Sequence, residues 1–433
     1  MRPSPEDTIS AIATGAGAIG IVRVSGPLAL QIARQIARKE PKDRAAIRSK
    51  FWDSQNVIDS GIVLPFFAPH SYTGEDVVEF HCHGSPAILR AVLDLTFKHG
   101  ARLAEPGEFT QRAYLNGKMS LSEAEAVADL IQARTDRFAK AAAQSLDGQF
   151  GRITRELIEA CLSLIAMLEA EIDFSEELEI DLSGTIEDAL CSLLASTDRL
   201  IGDAHLCQLM RSGARVAIVG RPNVGKSSLL NRLAGSDRAI VTDIPGTTRD
   251  TIETEIDLNG APVTFIDTAG YRSTNDPVET IGVERATRAI ESADLVLLLA
   301  DASAGWTPED QAIPADDVLK VFNKADLAPP PEGEIGISAK TGEGLDRLLT
   351  TIANRLGAVE QDNTLLVQAR HLETLRLARV DLCEAAGALR EKAPPEVVAI
   401  PLRSAWNRLN SIVDESPDDA IVDAIFKNFC IGK

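Results

Sequence analysis

The chain has 433 residues, too many for one compact core, and its 45% hydrophobic and 25% charged residues are typical of a globular protein of two to three domains. Its 44 Lys and Arg against 64 Asp and Glu give a net charge of −20, which excludes a general attraction for nucleic acid, so RNA would have to be bound by a local basic patch or through a basic partner. Six scattered cysteines without a Cys-x-x-Cys pair, and the lack of a signal-like or membrane-spanning apolar run, favour free thiols and a cytoplasmic location.

The N-terminal region, from residue 7 to about residue 116, mixes short β-like runs with turns. Residues 19–24 and 76–81 read as strands, the second with clear alternation. Residues 86–98 have helical spacing, and Ser85 precedes them as a candidate N-cap. These elements predict a mixed α+β domain.

Two patterns in this region imitate binding motifs. Residues 15–20 match Gly-x-Gly-x-x-Gly, but a β-like run follows in place of a helix, so we expect no dinucleotide site. His81, Cys82 and His83 have metal-ligand spacing, but strand alternation places Cys82 on the opposite face from both histidines. We therefore predict no metal site there.

The next region, from residue 120 to about residue 211, is helical in pattern. Apolar residues recur at three- and four-residue steps over residues 121–131 and again over residues 153–172. Helical periodicity returns over residues 364–433. The acidic run 176–179 is interpreted as a solvated face or loop.

Strands and helices alternate over residues 215–356, which predicts a parallel sheet with helices on both faces. Because this segment interrupts the helical pattern, we expect an α/β domain inserted into a discontinuous helical domain. The expected domains are an N-terminal domain (1–117), a first helical segment (118–211), the inserted domain (212–360) and a second helical segment (361–433).

A phosphate-binding loop opens the inserted domain. Residues 220–227 read Gly-Arg-Pro-Asn-Val-Gly-Lys-Ser and match G-x-x-x-x-G-K-[ST]. A buried-strand pattern precedes them (215–219) and a helix pattern follows (228–233), which is the context that the motif requires. Lys226 is predicted to reach the β- and γ-phosphates and Ser227 to bind Mg²⁺.

Two switch segments follow this loop. Residues 246–250 offer Thr248 as a second Mg²⁺ ligand. Residues 267–270 read Asp-Thr-Ala-Gly, in which Asp267 would support the Mg²⁺ shell and the Gly270 N–H would meet the γ-phosphate. Such segments are ordered by a triphosphate and loosen after hydrolysis.

The two segments are joined by a predicted β-hairpin. Residues 251–258 and 261–266 both have β character, and Asn259-Gly260 between them is the strongest short hairpin signal.

A guanine-reading motif completes the site. Apolar strands are predicted at residues 295–299 and 318–322, and the second runs into Asn-Lys-Ala-Asp at residues 323–326. The carboxylate of Asp326 would accept hydrogen bonds from the guanine ring N–H and amine, which adenine does not offer in that arrangement. Residues 338–340, Ser-Ala-Lys, would close over the base. The order of these motifs is similar to that of the small GTPase superfamily, so the predicted nucleotide is GTP and the inserted domain a Ras-like G domain.

The residue after the second switch motif departs from the common pattern. Tyr271 stands where many such GTPases have a water-orienting glutamine. Glu279 and Glu284 lie a few residues further on, and the residues alone leave open whether either acts on water or both are ordinary exposed side chains.

The chain as a whole resembles the tRNA modification GTPase family called MnmE or TrmE. The supporting residues are Arg23 in the run 20–26, Tyr-Thr-Gly-Glu-Asp at 72–76, His-Gly-Ser-Pro at 83–86, Glu-Pro-Gly-Glu-Phe-Thr-Gln-Arg-Ala at 105–113, Leu-Ser-Glu-Ala-Glu-Ala at 121–126 and the ending Phe-Cys-Ile-Gly-Lys at 429–433. These motifs span the chain and are much more specific than a phosphate-binding loop.

The resemblance implies a GTPase that is activated by K⁺ in place of an arginine finger and by dimerisation of its G domains. It implies K⁺ ligands at Asn223, Thr242, Ile244 and Thr247, and it selects Glu279 as the water-orienting residue. The nucleotide contacts expected from motif and resemblance together are Asn223, Val224, Gly225, Lys226, Ser227, Ser228, Thr242, Asp243, Ile244, Thr247, Thr248, Asp267, Thr268, Ala269, Gly270, Asn323, Lys324, Asp326, Ser338, Ala339 and Lys340.

The resemblance also implies a folate-binding, dimer-forming N-terminal domain. Its tetrahydrofolate derivative, in the 5-formyl or methylene form, would contact Arg23, Glu79, Lys118 and Lys433. Family members are homodimers that work with the flavoprotein MnmG (GidA), in a heterotetramer or larger complex, to form an aminomethyl or carboxymethylaminomethyl group at C5 of the tRNA wobble uridine. With a net charge of −20, we expect the partner to supply most of the basic surface for tRNA.

Two alternatives stay open at this point. Cys430, near the C-terminal Lys433, is either a catalytic nucleophile or a thiol with a structural or redox role. The chain itself is either such a modification enzyme or a regulatory GTP-binding switch in RNA or ribosome assembly. The second alternative needs neither the folate-type domain nor the Cys-Ile-Gly-Lys ending.

Between Asp301 and Asn323 the chain is short for the family, and residues 327–334 are Pro-rich, so we expect altered loops near the guanine motif.

Overall fold

The structure is a computed structural model that describes residues 7–15, 17–173, 183–240, 253–268, 287–306, 317–358, 364–413, 419–427 and 429–432. The chain divides into two units, one of Met1–Ala128 with Asp414–Lys433 and one of Asp129–Val413. No helix among the described residues is both long and apolar enough to span a bilayer.

The strands and helices are numbered in chain order. The strands are β1 (Ile9–Ile12), β2 (Ile19–Ser25), β3 (Ile47–Asp53), β4 (Asn56–Phe66), β5 (Val77–His83), β6 (Arg102–Leu103), β7 (Ala214–Gly220), β8 (Glu253–Leu258), β9 (Ala261–Asp267), β10 (Leu295–Asp301), β11 (Val318–Asn323) and β12 (Ile335–Gly336). The helices are α1 (Ala29–Ala37), α2 (Pro86–Lys98), α3 (Glu108–Leu115), α4 (Leu121–Gln132), α5 (Asp136–Leu146), α6 (Gln149–Asp173), α7 (Ser183–Ser212), α8 (Lys226–Ala234), α9 (Leu345–Leu356), α10 (Ala369–Arg390), α11 (Pro395–Val413) and α12 (Asp419–Phe426).

The first unit is built on a six-stranded sheet in the order β3-β4-β5-β2-β1-β6. Adjacent strands in this sheet are antiparallel, except that β1 and β6 are parallel. Helices α1 and α2 cover one face, where Phe51 meets Phe80 edge to face at 5.6 Å between ring centroids. The predicted strands at 19–24 and 76–81 and the predicted helix at 86–98 are confirmed. Ser85 is the N-cap residue of α2, as predicted, although its hydroxyl makes no capping hydrogen bond.

The helices of the second unit pack around one apolar core contributed by α6, α7, α10 and α11. Phe150 stacks on the buried His371 there, with 4.9 Å between the ring centroids. The long helix α6 confirms the helical pattern read at 153–172, and α4 confirms the pattern at 121–131. The acidic run 176–179 lies outside the described residues.

The second sheet has the order β12-β11-β10-β7-β9-β8. All of its pairs are parallel except the hairpin pair β8 and β9. Helices α8 and α9 cover one face, and Ile290, from a helical stretch at 287–291, packs against the other. The predicted parallel sheet with helices on both faces is therefore confirmed. Asn259 and Gly260 both have positive φ, 55° and 91°, which is the geometry of a two-residue hairpin turn, so that prediction is confirmed as well.

Candidate nucleotide-binding site

The phosphate-binding loop lies at the carboxyl edge of the parallel sheet. It joins the end of β7 at Gly220 to the start of α8 at Lys226. Gly225 has a φ of 100°, and a Cβ there would lie 2.2 Å from Nδ2 of Asn323, so only glycine fits. Asn223 also has a positive φ, 65°. The loop thus has the tight, inward-turned backbone that exposes N–H groups to an anion.

Lys226 reaches back across this loop. Its ammonium donates to the carbonyls of Gly220 and Arg221, at 2.8 and 3.2 Å. The residue is 8% exposed, and burial lowers the pKa of its amine, while the nearby carboxylate of Asp267 opposes that shift. A desolvated cation over a loop of inward N–H groups is suited to bind phosphate oxygens.

Ser227 and Asp267 come together beside the loop. The Ser227 hydroxyl donates to Oδ2 of Asp267 at 3.0 Å. The other oxygen of this carboxylate, Oδ1, is buried and has no hydrogen-bond partner among the described residues. A hydroxyl and a carboxylate with unused acceptor capacity are oxygen donors of the kind that Mg²⁺ prefers, so the residues fit the predicted magnesium shell.

Asn323 ties the phosphate loop to the guanine motif. Its Nδ2 donates to the Val224 carbonyl at 2.7 Å, and its Oδ1 accepts from the Ala339 N–H at 3.0 Å. The side chain is 2% exposed. One amide therefore fixes the distance between the loop for phosphates and the segment expected to cover the base.

The neighbouring residues of the guanine motif are more open. Lys324 pairs with Asp301 at 2.7 Å, and this hydrogen bond, together with those from the Ser303 hydroxyl and N–H, lowers the pKa of Asp301 to about 2. Asp326 is exposed, so its carboxylate is desolvated only when a base covers it. Ser338 is buried and Lys340 is exposed.

The remaining described contacts belong to the same edge of the sheet. The Thr268 hydroxyl donates to the Ile218 carbonyl at 2.7 Å, and Ser228 is exposed on α8. The predicted residues that lie outside the described ranges of the chain are Thr242, Asp243, Ile244, Thr247, Thr248, Ala269, Gly270 and Glu279, together with the alternatives Tyr271 and Glu284.

The candidate folate residues lie in the first unit. Arg23 and Glu79 are opposite each other on β2 and β5 and form an ion pair at 2.9 Å. The Arg23 guanidinium also lies over the Tyr72 and Phe109 rings, 5.4 and 5.6 Å from their centroids. Lys118 donates to a backbone carbonyl at 3.1 Å.

One loop links these groups. Tyr72 contacts Arg23, and a Cβ at Gly74, two residues further on, would lie 3.3 Å from the Lys118 side chain. Burial raises the pKa of Tyr72, so its hydroxyl stays protonated. A half-buried carboxylate–guanidinium pair with an aromatic ring fits the donors and the flat surface of a pterin.

The C-terminal tail lies against the same unit. The Gly107 N–H faces the Cys430 carbonyl at 3.4 Å, and a Cβ at Gly432 would lie 2.2 Å from the carbonyl of Ile12. Cys430 is exposed. Lys433 lies outside the described residues.

A buried charge network in the first unit was missed from sequence. Arg112 is 2% exposed and donates to Glu75 and Glu108, at 3.1 and 2.9 Å. Burial raises the pKa of Glu108, but hydrogen bonds from Arg102, the backbone and Arg112 hold it below its usual value. Only the spacing of Glu108 and Arg112, four apart, gave a local signal, because Glu75 is distant in sequence.

A second missed contact joins the helices of the second unit to the β8–β9 hairpin. The Thr135 hydroxyl donates to the Gly260 carbonyl at 2.7 Å, and Arg137 donates to the Asn259 carbonyl at 2.6 Å and to the Thr364 hydroxyl at 2.8 Å. These partners are more than 100 residues apart in sequence, so the local sequence pattern does not predict the hydrogen bonds between them.

Each histidine of the 81–83 run lies beside a carboxylate. Cys82 is buried, as alternation predicts, and burial raises the pKa of its thiol to about 12. His81 lies 3.3 Å from Glu79, and His83 lies 2.7 Å from Asp59.

Models of known protein families match both the N-terminal region and the remainder of the chain. Residues 8–118 match the family model described as GTP-binding protein TrmE N-terminus, and residues 121–430 match the MnmE helical domain. The tRNA modification GTPase MnmE of Symbiobacterium thermophilum is 45% identical over 99% of this chain and 100% of that protein. The protein of the same name from Nitrosomonas eutropha is 45% identical over 99% of each. Among solved structures, Aquifex aeolicus Era bound to GDP and AlF4⁻ shows 30% identity over 39% of this chain and 66% of that chain, with a TM-score of 0.28, and the family assignment does not depend on it.

Proposed function

The chain belongs to the MnmE (TrmE) family of tRNA modification GTPases, and on that premise we propose that it hydrolyses GTP in a K⁺-dependent reaction and, with a flavoprotein of the MnmG type, forms the 5-carboxymethylaminomethyl or aminomethyl group at the wobble uridine of certain tRNAs. The protein would act in the cytoplasm as a homodimer. The boundaries 1–117, 118–211, 212–360 and 361–433 are kept as the proposed domains.

The observation that carries the GTPase activity is the position of Asn323. It holds the Val224 carbonyl of the phosphate loop and the Ala339 N–H of the base-covering segment at the same time. Ser227 and Asp267 stand at the loop, where Mg²⁺ would join the phosphates. This arrangement supports binding of a whole guanine nucleotide, with its phosphates at the phosphate loop and its base beneath the segment that contains Ala339.

The proposed metal ligands all offer oxygen atoms of the protein. Ser227 and Thr248 would bind Mg²⁺, which neutralises charge on the phosphates when bound. Asn223, with Thr242, Ile244 and Thr247, would bind K⁺, which supplies the positive charge that other GTPases take from an arginine. Glu279 is proposed to orient the attacking water, which explains how Tyr271 is tolerated after the second switch motif.

The proposed folate site uses Arg23, Glu79, Lys118 and Lys433. The Arg23–Glu79 pair supports it, because a carboxylate accepts from pterin N–H groups while the guanidinium and the lysines suit the glutamate carboxylates. The folate derivative would supply the one-carbon unit. Cys430 keeps two interpretations, a catalytic nucleophile or a thiol with a structural or redox role, and full tRNA modification by a Cys430→Ser variant would remove the first.

The GTPase proposal is tested by turnover in matched salts. We expect GTP hydrolysis to be markedly faster in KCl than in NaCl at equal ionic strength. An Asn223→Ala variant should lose that difference while still binding GDP. Equal rates of the wild-type protein in both salts would contradict K⁺ activation.

The modification proposal is tested separately, by a mass-spectrometric nucleoside profile of tRNA from cells that lack the protein. We expect the modified wobble uridine to disappear. Unchanged wobble uridines would instead favour the alternative function, a regulatory GTP-binding switch in RNA or ribosome assembly.

A further inference from the structure

The most basic stretch of this acidic chain lies in the first unit and runs from the last turn of α1 through most of the edge strand β3. Residues 34–52 contain seven Lys and Arg against two Asp and Glu, a local net charge of +5 in a chain of net charge −20. The function described above uses none of these residues.

The structure gathers four of the basic side chains around a cleft of about 530 Å³. Arg38 ends α1 in the left-handed conformation, and its guanidinium stacks 4.4 Å from the centroid of the Trp52 ring. Arg48 and Lys50 share the exposed face of β3, because the alternate residues of that strand are buried. The cleft is lined by Ala37, Arg38, Lys39, Arg48, Ser49, Lys50, Trp52 and Ser60.

The acidic residues nearest in sequence are already engaged. Glu40 pairs with Arg34 at 2.8 Å, Asp53 pairs with Lys98 at 2.6 Å, and Asp43 accepts the backbone N–H of a residue in the β4–β5 loop.

Two of the four cleft cations are bound by backbone carbonyls, which leave their charge unneutralised. Arg38 donates to the Ser54 carbonyl, and Lys39 donates to the Arg48 carbonyl at 2.5 Å. Within the described residues, none of Arg38, Lys39, Arg48 and Lys50 forms an ion pair with a carboxylate. Their positive charge is therefore available to an external anion.

We propose that this cleft binds the phosphate backbone of tRNA. Arg48 and Lys50 lie two residues apart on one strand, about 6.8 Å between their Cα atoms, a spacing that suits successive phosphates of a nucleic-acid backbone. Trp52 fixes the Arg38 guanidinium as a third contact. The site supplies the local basic patch that an acidic chain needs to hold RNA, and it rests on the proposed role in tRNA modification.

The test is the affinity of the full-length protein for a fluorescein-labelled tRNA transcript, measured by anisotropy between about 50 and 200 mM KCl, the range over which phosphate contacts respond most clearly to salt. Each phosphate contact releases about 0.7 to 0.9 counterions, so the Arg48→Gln/Lys50→Gln variant should bind about 30-fold more weakly at about 0.1 M salt. Its plot of log affinity against log salt should be shallower by about 1.4 to 1.8. GTP hydrolysis without RNA should stay at the wild-type rate.

The matched control removes the same charge from an exposed face of α6, in the Arg152→Gln/Arg155→Gln variant, and should bind tRNA like the wild type. Arg38→Gln, which removes the third proposed contact and lies off the edge strand, provides a second cleft variant with circular dichroism as the check on folding, and should flatten the salt plot by about half as much.

Three results would overturn the proposal. One is wild-type affinity and salt dependence in both cleft variants. Another is self-association of Arg48→Gln/Lys50→Gln with unchanged tRNA affinity, which would mean that the charges only protect an edge strand. The third is binding to phosphatidylserine vesicles but not to tRNA. In each case GTP hydrolysis and the nucleoside profile would report on the proposed function independently.

Discussion

The strongest structural prediction concerns Asn323, whose side chain satisfies two buried backbone groups. In Asn323→Ala the Val224 carbonyl and the Ala339 N–H both lose their partner. An unsatisfied buried polar group costs roughly 1–3 kcal/mol, so the loss in unfolding free energy should be about 2–6 kcal/mol. This is a large share of the roughly 5–15 kcal/mol that is typical of a domain. The variant should also bind GDP much more weakly, because the two ends of the site are no longer held together.

The assay is urea unfolding of nucleotide-free protein, followed by calorimetric titration with GDP. Asn323→Asp should keep the acceptor for the Ala339 N–H but place a carboxylate against the Val224 carbonyl, so it should also be destabilised. Asn231→Ala, an exposed asparagine on α8, is the control and should stay within about 0.5 kcal/mol of the wild type. An unfolding midpoint of Asn323→Ala equal to that of Asn231→Ala would refute the reasoning.

Three further changes have defined outcomes. Asp203→Asn should stabilise the protein at pH 7, and this gain should disappear as the pH falls towards 3.8. Burial raises the pKa of Asp203 in the folded state, so the wild type loses stability as the pH rises through this raised pKa. Equal gains in unfolding free energy at pH 4 and pH 7 would contradict this reasoning. Trp306→Ala should cost about 1–3 kcal/mol, because this half-buried ring packs on Phe322 at 4.8 Å between centroids in the short connection after β10, and unchanged urea midpoints would argue against it. Arg137→Ala should cost about 2 kcal/mol and expose the β8–β9 hairpin, which holds Asn259, to limited proteolysis, so an unchanged cleavage rate would dismiss the contact.

Elements with a strong local signal could be predicted from the sequence. The helix α2 matches its predicted bounds, and the hairpin at Asn259-Gly260 forms where its turn residues require. Pairing between distant segments could not be predicted. Strand β6 has two residues and pairs with β1, more than 90 residues earlier, so its existence depends on tertiary contacts that leave no periodic trace.

The candidate nucleotide site was more predictable than the rest of the chain, because its motif fixes both backbone and chemistry. Gly225 is required by the approach of Asn323, almost 100 residues away, and both belong to the sequence motifs of the site. The exposure of Asp326 was not predictable, since it depends on how the following loop packs. The roles of Thr242, Thr248 and Glu279, which lie outside the described residues, stay predictions.

The insertion of the G domain between the two helical segments has a physical basis at its two ends. The chain enters at Gly213, where a Cβ would lie 2.8 Å from the Pro262 carbonyl, and it leaves at Ala358, whose carbonyl accepts from Asn259 at 2.8 Å. Both ends therefore meet the same β8–β9 hairpin, although they are 145 positions apart (358 − 213). Because entry and exit lie at one place, the helical core can close as if the inserted domain were a loop, which costs little entropy for its length. The hairpin thus serves both the sheet that carries the nucleotide site and the junction that holds the domain.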